Sequence, residues 1–313
     1  MTFTRLRAAA AIVAGSAMLV SMAACGTSDS SSSSSSSGSG SSSTTQGYDT
    51  SSVKKDSSIA ALLPSSVTKD GTLTVGTDTS YAPAEFLADD GKTPVGYDVD
   101  LTKALAAVFG LKADTVSSTF DSILPSVGSK YDIGISSFTV TKDRMEAVDF
   151  VTYFKAGSTF VVKKDNPDKV DTSDLCGVTV AVQTGTTQEE EVNTDTKACT
   201  KAGKSAITIQ SYKMQTDVTT AVATGKAAVF YADSPVAGYA IKQTGDELEA
   251  LGDETGVAPE AVAIKKGDSA TAKAVQKALQ KLIDDGTYKK ILDTWGVSSG
   301  AIDTAEINPS VDD

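Results

Sequence analysis

GISSFTVTKDR, residues 134–144, starts as a strand and ends as a helix. Ile133 and Ile135 alternate with small residues, the period of a strand. Hydroxyls follow at Ser136, Ser137, Thr139 and Thr141, and Thr141 stands as the N-cap of a helix carrying Lys142, Asp143 and Arg144. Hydroxyl oxygens, free backbone N–H groups and one guanidinium, gathered where a strand ends, suit the capture of a carboxylate. Arginine grips that group with two parallel hydrogen bonds, a geometry lysine lacks. Read alone, the segment fits a polar turn with a surface arginine better. The surrounding chain changes the balance.

Upstream, GTLTVGTD alternates Leu73 and Val75 with polar residues and delivers Asp78, Tyr81 and Pro83 into a loop. Asp98 reads as the start of a helix through Leu101, Leu105 and Val108, with Gly110 as its stop. A second strand leads to TFDSILPSVGS, a short helix with Phe120 near its beginning. Downstream, Ser158–Val162 is extended, and VTVAVQTGTTQEEE is a strand, a glycine turn and a helix opened by Thr186 and Thr187. After a weak strand at Gln210–Lys213 and a helix over Val218–Thr224, AAVFYADSP ends a strand at Asp233 and opens another helix. Two more helices close the chain, one through Val275, Leu279 and Leu282, the other through Tyr288 to Trp295.

Strands thus alternate with helices twice over, and extended passages near 156–162 and 254–263 divide the halves. That order predicts an α/β protein of two lobes with the chain crossing between them twice. The expected parts are lobe 1 from 59–157 with 259–300, lobe 2 inserted at 158–258, and a loose tail at 301–313. Ligands in such lobes bind at the carboxyl ends of strands. Each polar cluster named above falls at a strand end.

The first residues read as an address. Arg5 and Arg7 precede an apolar run from Ala8 to Val20, and Ala23 and Ala24 lead to Cys25. This is a secretory signal, 1–24, with a lipid-attachment cysteine at Cys25; cleavage at a nearby alanine with Cys25 left free is the plainer alternative. Residues 26–58 are rich in Ser, Gly and Thr, with serine unbroken from Ser30 to Ser37. Such a stretch predicts a flexible tether with a reach of about 30 Å. The formal net charge is −12, and removal of the signal makes it two units more negative. That argues against nucleic acid or anionic lipid as partners. The chain has no histidine, which excludes Ser-His-Asp and Cys-His catalysis and histidine metal sites. In the exported part Cys176 and Cys199 form an even pair, favouring a disulfide outside the cytoplasm. No cofactor or metal is expected.

Taken together, GTDTSYAP, GYDVDLTKAL, FDSILPSV, YDIGISSFTVTKDR, DFVTYF, AVQTGTTQE, AVFYADSP and DDGTYKKILDTWG make residues 69–297 resemble the extracellular solute-binding proteins of the polar amino-acid family. These are the ligand-capturing components of ABC importers. The resemblance implies a type II periplasmic-binding-protein-like fold whose lobes close over one free amino acid, and a permease as partner. Arg144 would hold the ligand's α-carboxylate with help from Ser137, Thr139 and Thr187, and Asp233 would accept its α-ammonium. Tyr81 and Phe120 would sandwich the side chain, while Asp78 and Ser136 line the pocket. The residue chemistry agrees: a zwitterion needs one fixed cation and one fixed anion, and Thr186 and Thr187 at a helix N-terminus add N–H groups and a favourable dipole. Taken singly, plainer roles exist. Asp233 before Ser-Pro is a good N-cap, Tyr81 fits loop packing, Phe120 fits a core, and Asp78 fits its own loop.

Ala84 and Glu85 stand where the family often has an aromatic, which predicts a wider or more polar side-chain end. With Asp78 and the negative charge, this leans against an acidic ligand and toward a basic or amide one. The main expectation is therefore an amino-acid capture protein held at the membrane by a lipid, monomeric and without catalysis. An enzyme on the same scaffold, a dehydratase with Asp78 or Glu85 as acid or base, is the second reading. A ligand-sensing receptor subunit is the third, and the absence of any signalling segment after Trp295 favours the importer over it.

Overall fold

The structure is a computed structural model that describes residues 47–245 and 247–311. The signal and Cys25 lie outside the described residues. The chain opens with α1 (Ser57–Ala60) and α2 (Ser65–Thr68), then β1 (Thr72–Thr77) and the short strands β2 (Ser80–Tyr81), β3 (Glu85–Leu87) and β4 (Pro94–Val95). Next come α3 (Tyr97–Phe109), β5 (Lys112–Ser117), α4 (Phe120–Ile123), β6 (Ile133–Thr139), α5 (Lys142–Ala147) and the long β7 (Val148–Lys163). Then follow β8 (Thr179–Gln183), α6 (Thr187–Lys201), β9 (Thr208–Tyr212), α7 (Gln215–Ala223), β10 (Val229–Asp233), α8 (Ser234–Gln243) and a second long strand, β11 (Leu248–Lys265). Helices α9 (Ser269–Asp284) and α10 (Thr287–Trp295) complete the order.

Eight strands make one sheet in the order β5-β1-β6-β11-β7-β10-β8-β9. In the first lobe β5, β1 and β6 are parallel, with Leu73 opposite Ala113 and Val75 opposite Ile133. In the second, β10, β8 and β9 are parallel. The long strands β7 and β11 pair antiparallel from Leu248↔Lys163 to Lys265↔Val148 and carry the sheet from one lobe to the other. Their register breaks between Leu251 and Thr255, Thr255 and Ala258, and Glu260 and Ala261. A two-stranded ribbon broken by bulges bends where a wider sheet would not.

The helices follow their sequence signals where apolar spacing is strong. In α9, Asp268 accepts from Thr271 N, and Val275, Leu279 and Leu282 are buried on one face. The start of α3 differs from expectation. Its N-cap is Gly96, and Asp98 lies in the first turn with its side chain buried. Gly96 has φ 132°, and a Cβ there would stand 2.0 Å from Ala84 O. Only glycine lets the three-stranded sheet β2-β3-β4 sit this close to the helix. At the other end Gly110, φ 70°, closes α3 in the left-handed conformation.

Both ends of the described chain are docked, which corrects two expectations. Residues 50–58, assigned to the tether, form a turn of 3-10 helix and the start of α1. Tyr48 N donates to Asp100 Oδ2 at 2.7 Å, Asp56 N to Val108 O at 2.9 Å, and Ile59 is buried. The tail expected to be loose runs along β7. Glu306 N donates to Thr152 Oγ1 and Phe150 N to Asn308 Oδ1, and Ala305 is buried. Serine content and polarity hid these contacts because backbone groups make most of them. Cys176 and Cys199 are disulfide-bonded, tying the segment before β8 to α6; closing a loop of that length stabilises by about 3 kcal/mol. Among the described residues no helix is long and apolar enough to cross a membrane.

Candidate functional site

The carboxyl ends of β6, β8 and β10 and the loop after β1 converge on one cavity. It is lined by Tyr81, Phe120, Ser137, Thr139, Arg144, Thr186, Thr187, Gln188 and Asp233 and measures about 10 Å³. Eight of these nine are residues the sequence singled out. A roomier groove of about 730 Å³ runs between α8 and the end of α10, but its charged side chains Lys155, Lys242 and Glu254 are exposed. It offers none of the buried charge that the small cavity does.

Thr141 caps α5 by accepting from Arg144 N, which fixes where the arginine leaves the backbone. Arg144 then donates from Nη1 to Thr139 O at 2.9 Å and from Nη2 across the lobes to Gly185 O at 3.0 Å. Its guanidinium carbon lies 5.5 Å from the Phe120 ring centroid, a cation–π distance. Two of five N–H donors are used, leaving three for a carboxylate. Ser137 has φ 46°, a left-handed conformation uncommon for serine. Its N–H meets Asp98 Oδ2 and Tyr153 Oη, both at 3.2 Å.

Asp233 stands opposite. It does not cap α8 with its side chain. Instead Oδ2 accepts from Tyr81 Oη at 2.8 Å and Oδ1 from Gln188 Nε2 at 2.7 Å. Burial pushes its pKa up to about 6, against the pull of the Tyr81 and Gln188 hydrogen bonds and the Arg144 charge. Thr186 caps α6 by accepting from Glu189 N and donates to Gln183 O, so its hydroxyl is committed. Thr187 begins the helix beside the cavity. Phe120 stacks on Phe138 at 5.0 Å.

Asp78 and Ser136, expected to line the pocket, stand behind it. Asp78 is saturated by Ser80 N, Ser80 Oγ, Phe120 N and, from the other lobe, Gln183 Nε2 at 2.9 Å. Ser136 is fully buried, donating to Glu85 Oε1 at 2.6 Å and accepting from Asp78 N. Glu85 therefore does not widen the side-chain end. It is sealed in and shares a hydrogen bond with Asp98, which requires a proton on one of the two. Burial, then the Asp98 charge, hold the Glu85 pKa well above the carboxylate range, so Glu85 carries that proton.

The sequence reading missed Gln188 and Glu260. Gln188 bridges Ser158 Oγ and Asp233 Oδ1, both at 2.7 Å; its place after Thr187 in the first turn of α6 was the available signal. Glu260, on β11, is 2% exposed. Nothing in EAVAIKK marks an acid at the turn into an apolar strand as functional.

Comparison with known proteins places this architecture. The chain is 36% identical over 252 residues to the arginine-binding protein ArgT of Corynebacterium glutamicum, covering 80% of this chain and 82% of that one. An ancestral arginine-binding protein solved with arginine matches with a TM-score of 0.66 at 34% identity, over 72% of this chain and 98% of that chain. An ancestral amino acid-binding protein, a precursor of cyclohexadienyl dehydratase, matches with a TM-score of 0.67 at 36% identity, over 75% and 99%. The profile of one family spans residues 73–298, most of the chain. The chain belongs to the bacterial extracellular solute-binding proteins, family 3.

Proposed function

We propose that the chain captures an L-amino acid with a cationic side chain, arginine first, and delivers it to an ABC permease without catalysing a reaction. The observation that carries the reading is a charge imbalance. Asp78, Asp98 and Asp233 are buried in or behind the cleft beside the protonated Glu85 and Glu260, against the single guanidinium of Arg144. Once Arg144 pairs with a ligand carboxylate, the surplus is acidic, and a second positive charge on the solute offsets it. The arginine-binding relatives support the same solute class. Binding rather than dehydration is supported by the two acids that an enzyme would need: Asp78 is saturated and Glu85 is sealed behind Ser136.

Calorimetry of the purified protein against arginine, lysine, ornithine, glutamine, citrulline and glutamate tests the solute. Arginine is expected to bind tightest and, at about a hundred times its Kd, to add about 2.7 kcal/mol of stability. Glutamate binding tighter than the basic amino acids would overturn the charge argument. The proposed location is the outer face of the cell membrane, anchored through Cys25, on the support of the Arg5–Ala24 segment before it. Cys25→Ala is expected to release the protein from the membrane fraction; unchanged retention would remove the anchor.

A further inference from the structure

Of the five carboxylates buried around the cleft, Asp78 and Asp233 accept on both oxygens, while Glu85 Oε2 and Asp98 Oδ1 have no donor but each other. Asp78 has four donors, and Asp233 has Tyr81 and Gln188. Glu260 is different. It sits on β11 between Thr139 of β6 and Phe154 of β7, next to a break in the strand register. The side chain of the cavity residue Ser137 offers it a hydrogen bond, and its Oε2 is buried with no partner. The charged and titratable groups facing it are Asp233 of β10, Asp98 and Tyr97 of α3, Arg144 of α5, Tyr81 of β2, Tyr153 of β7 and Tyr288 of α10. Burial, then the Asp233 charge, raise its pKa well above the carboxylate range. A bare carboxylate beside another in a dry site is costly, so in this closed form Glu260 holds a proton.

A primary ammonium carries three N–H donors, while both Asp233 oxygens already accept from protein groups. We propose that Glu260 is a second acceptor at the Asp233 ammonium seat and releases its proton when the solute's α-ammonium arrives. The Glu260 O–H bond breaks, the proton leaves to solvent, and the carboxylate so formed accepts an ammonium N–H. This rests on the amino-acid reading above. The sign follows: a group that must lose a proton to bind gives an affinity that rises with pH, by up to tenfold per pH unit below its pKa. Asp233 and Asp98, at about 6, are ionised through the upper part of the range from pH 7, which leaves that slope to Glu260.

The test is calorimetry with arginine, or with glutamine if that binds tighter, at pH 7.0, 7.5 and 8.0, in phosphate and in Tris, whose ionisation heats differ. Wild-type protein is expected to release close to one proton per solute bound, with Kd falling as pH rises. Glu260→Gln is expected to release none and to bind with a flat pH profile. Glu85→Gln, outside the seat, is expected to keep the wild-type slope. Wild-type binding without proton release overturns the proposal with no variant needed, as does a Glu260→Gln protein that keeps the wild-type release. Failure of every amino acid to bind overturns the amino-acid reading as well, and so is told apart from binding without release.

Discussion

Replacing Arg144 with alanine is expected to weaken solute binding by about a hundred- to a thousand-fold while the protein stays folded. Breaking a buried, hydrogen-bonded charge pair costs about 2–5 kcal/mol, much of it from the partner charge left behind. Here that partner is the solute's carboxylate. The guanidinium also bridges Thr139 O and Gly185 O across the lobes, so its loss removes one clasp of the closed form as well. Those carbonyls lie at the cleft, where water replaces the lost donors on opening. Arg144→Lys keeps the charge but not the fork and is expected to fall between the two. Calorimetry with circular dichroism as the folding control reads both effects. An alanine variant binding at wild-type affinity would show that the carboxylate is held elsewhere.

The largest loss of stability is expected from Asp98→Ala. Asp98 Oδ2 accepts from Tyr153 Oη at 2.6 Å and from Ser137 N at 3.2 Å, and its other oxygen faces Glu85. One carboxylate thus joins α3 to β3, β6 and β7, and its removal takes a partner from Tyr153 Oη, Ser137 N and Glu85 in a dry interior, leaving Ser137 N only Tyr153 Oη. The cost is about 3–5 kcal/mol, or roughly 10 °C of Tm in a chain this long. Asp98→Asn retains a carbonyl acceptor and is expected to lose less than half as much. A thermal melt settles it; an alanine variant within 1 kcal/mol of wild type, a marginal effect by the usual spread of mutations, would mean the junction is not structural.

These two residues differ in how far the sequence revealed them. Arg144 was legible because a strand pattern, hydroxyls, a cap and a guanidinium fall within eleven consecutive residues, and the same local logic found Thr186, Thr187 and Asp233. The lobes were legible because Leu73 and Val75 carry the strand period and Val275, Leu279 and Leu282 the helical one. Asp98 was misread as a helix start because acids there are usually exposed caps; here Gly96 does that work. Glu85 and Glu260 were hidden for the opposite reason. Acids are rarely buried, and their partners Ser136, Asp98 and Ser137 lie 51, 13 and 123 positions away. The short strands β2, β3 and β4 carry too few residues to show a period.

The lobes of this structure meet through their own side chains, Tyr81 on Asp233, Gln183 on Asp78, Arg144 on Gly185 and Lys213 on Asp121. The cavity they enclose, about 10 Å³, has room for about one water molecule and none for an amino acid. No amino acid enters without those bonds opening first. Capture kinetics therefore have a ceiling. At low solute the observed rate rises with concentration, and at high solute it levels off at the frequency with which the lobes part. The self-closed fraction also lowers the apparent affinity in proportion to its population, so a variant that loosens the Gln183–Asp78 clasp, behind the cavity, is expected to part its lobes faster and load faster.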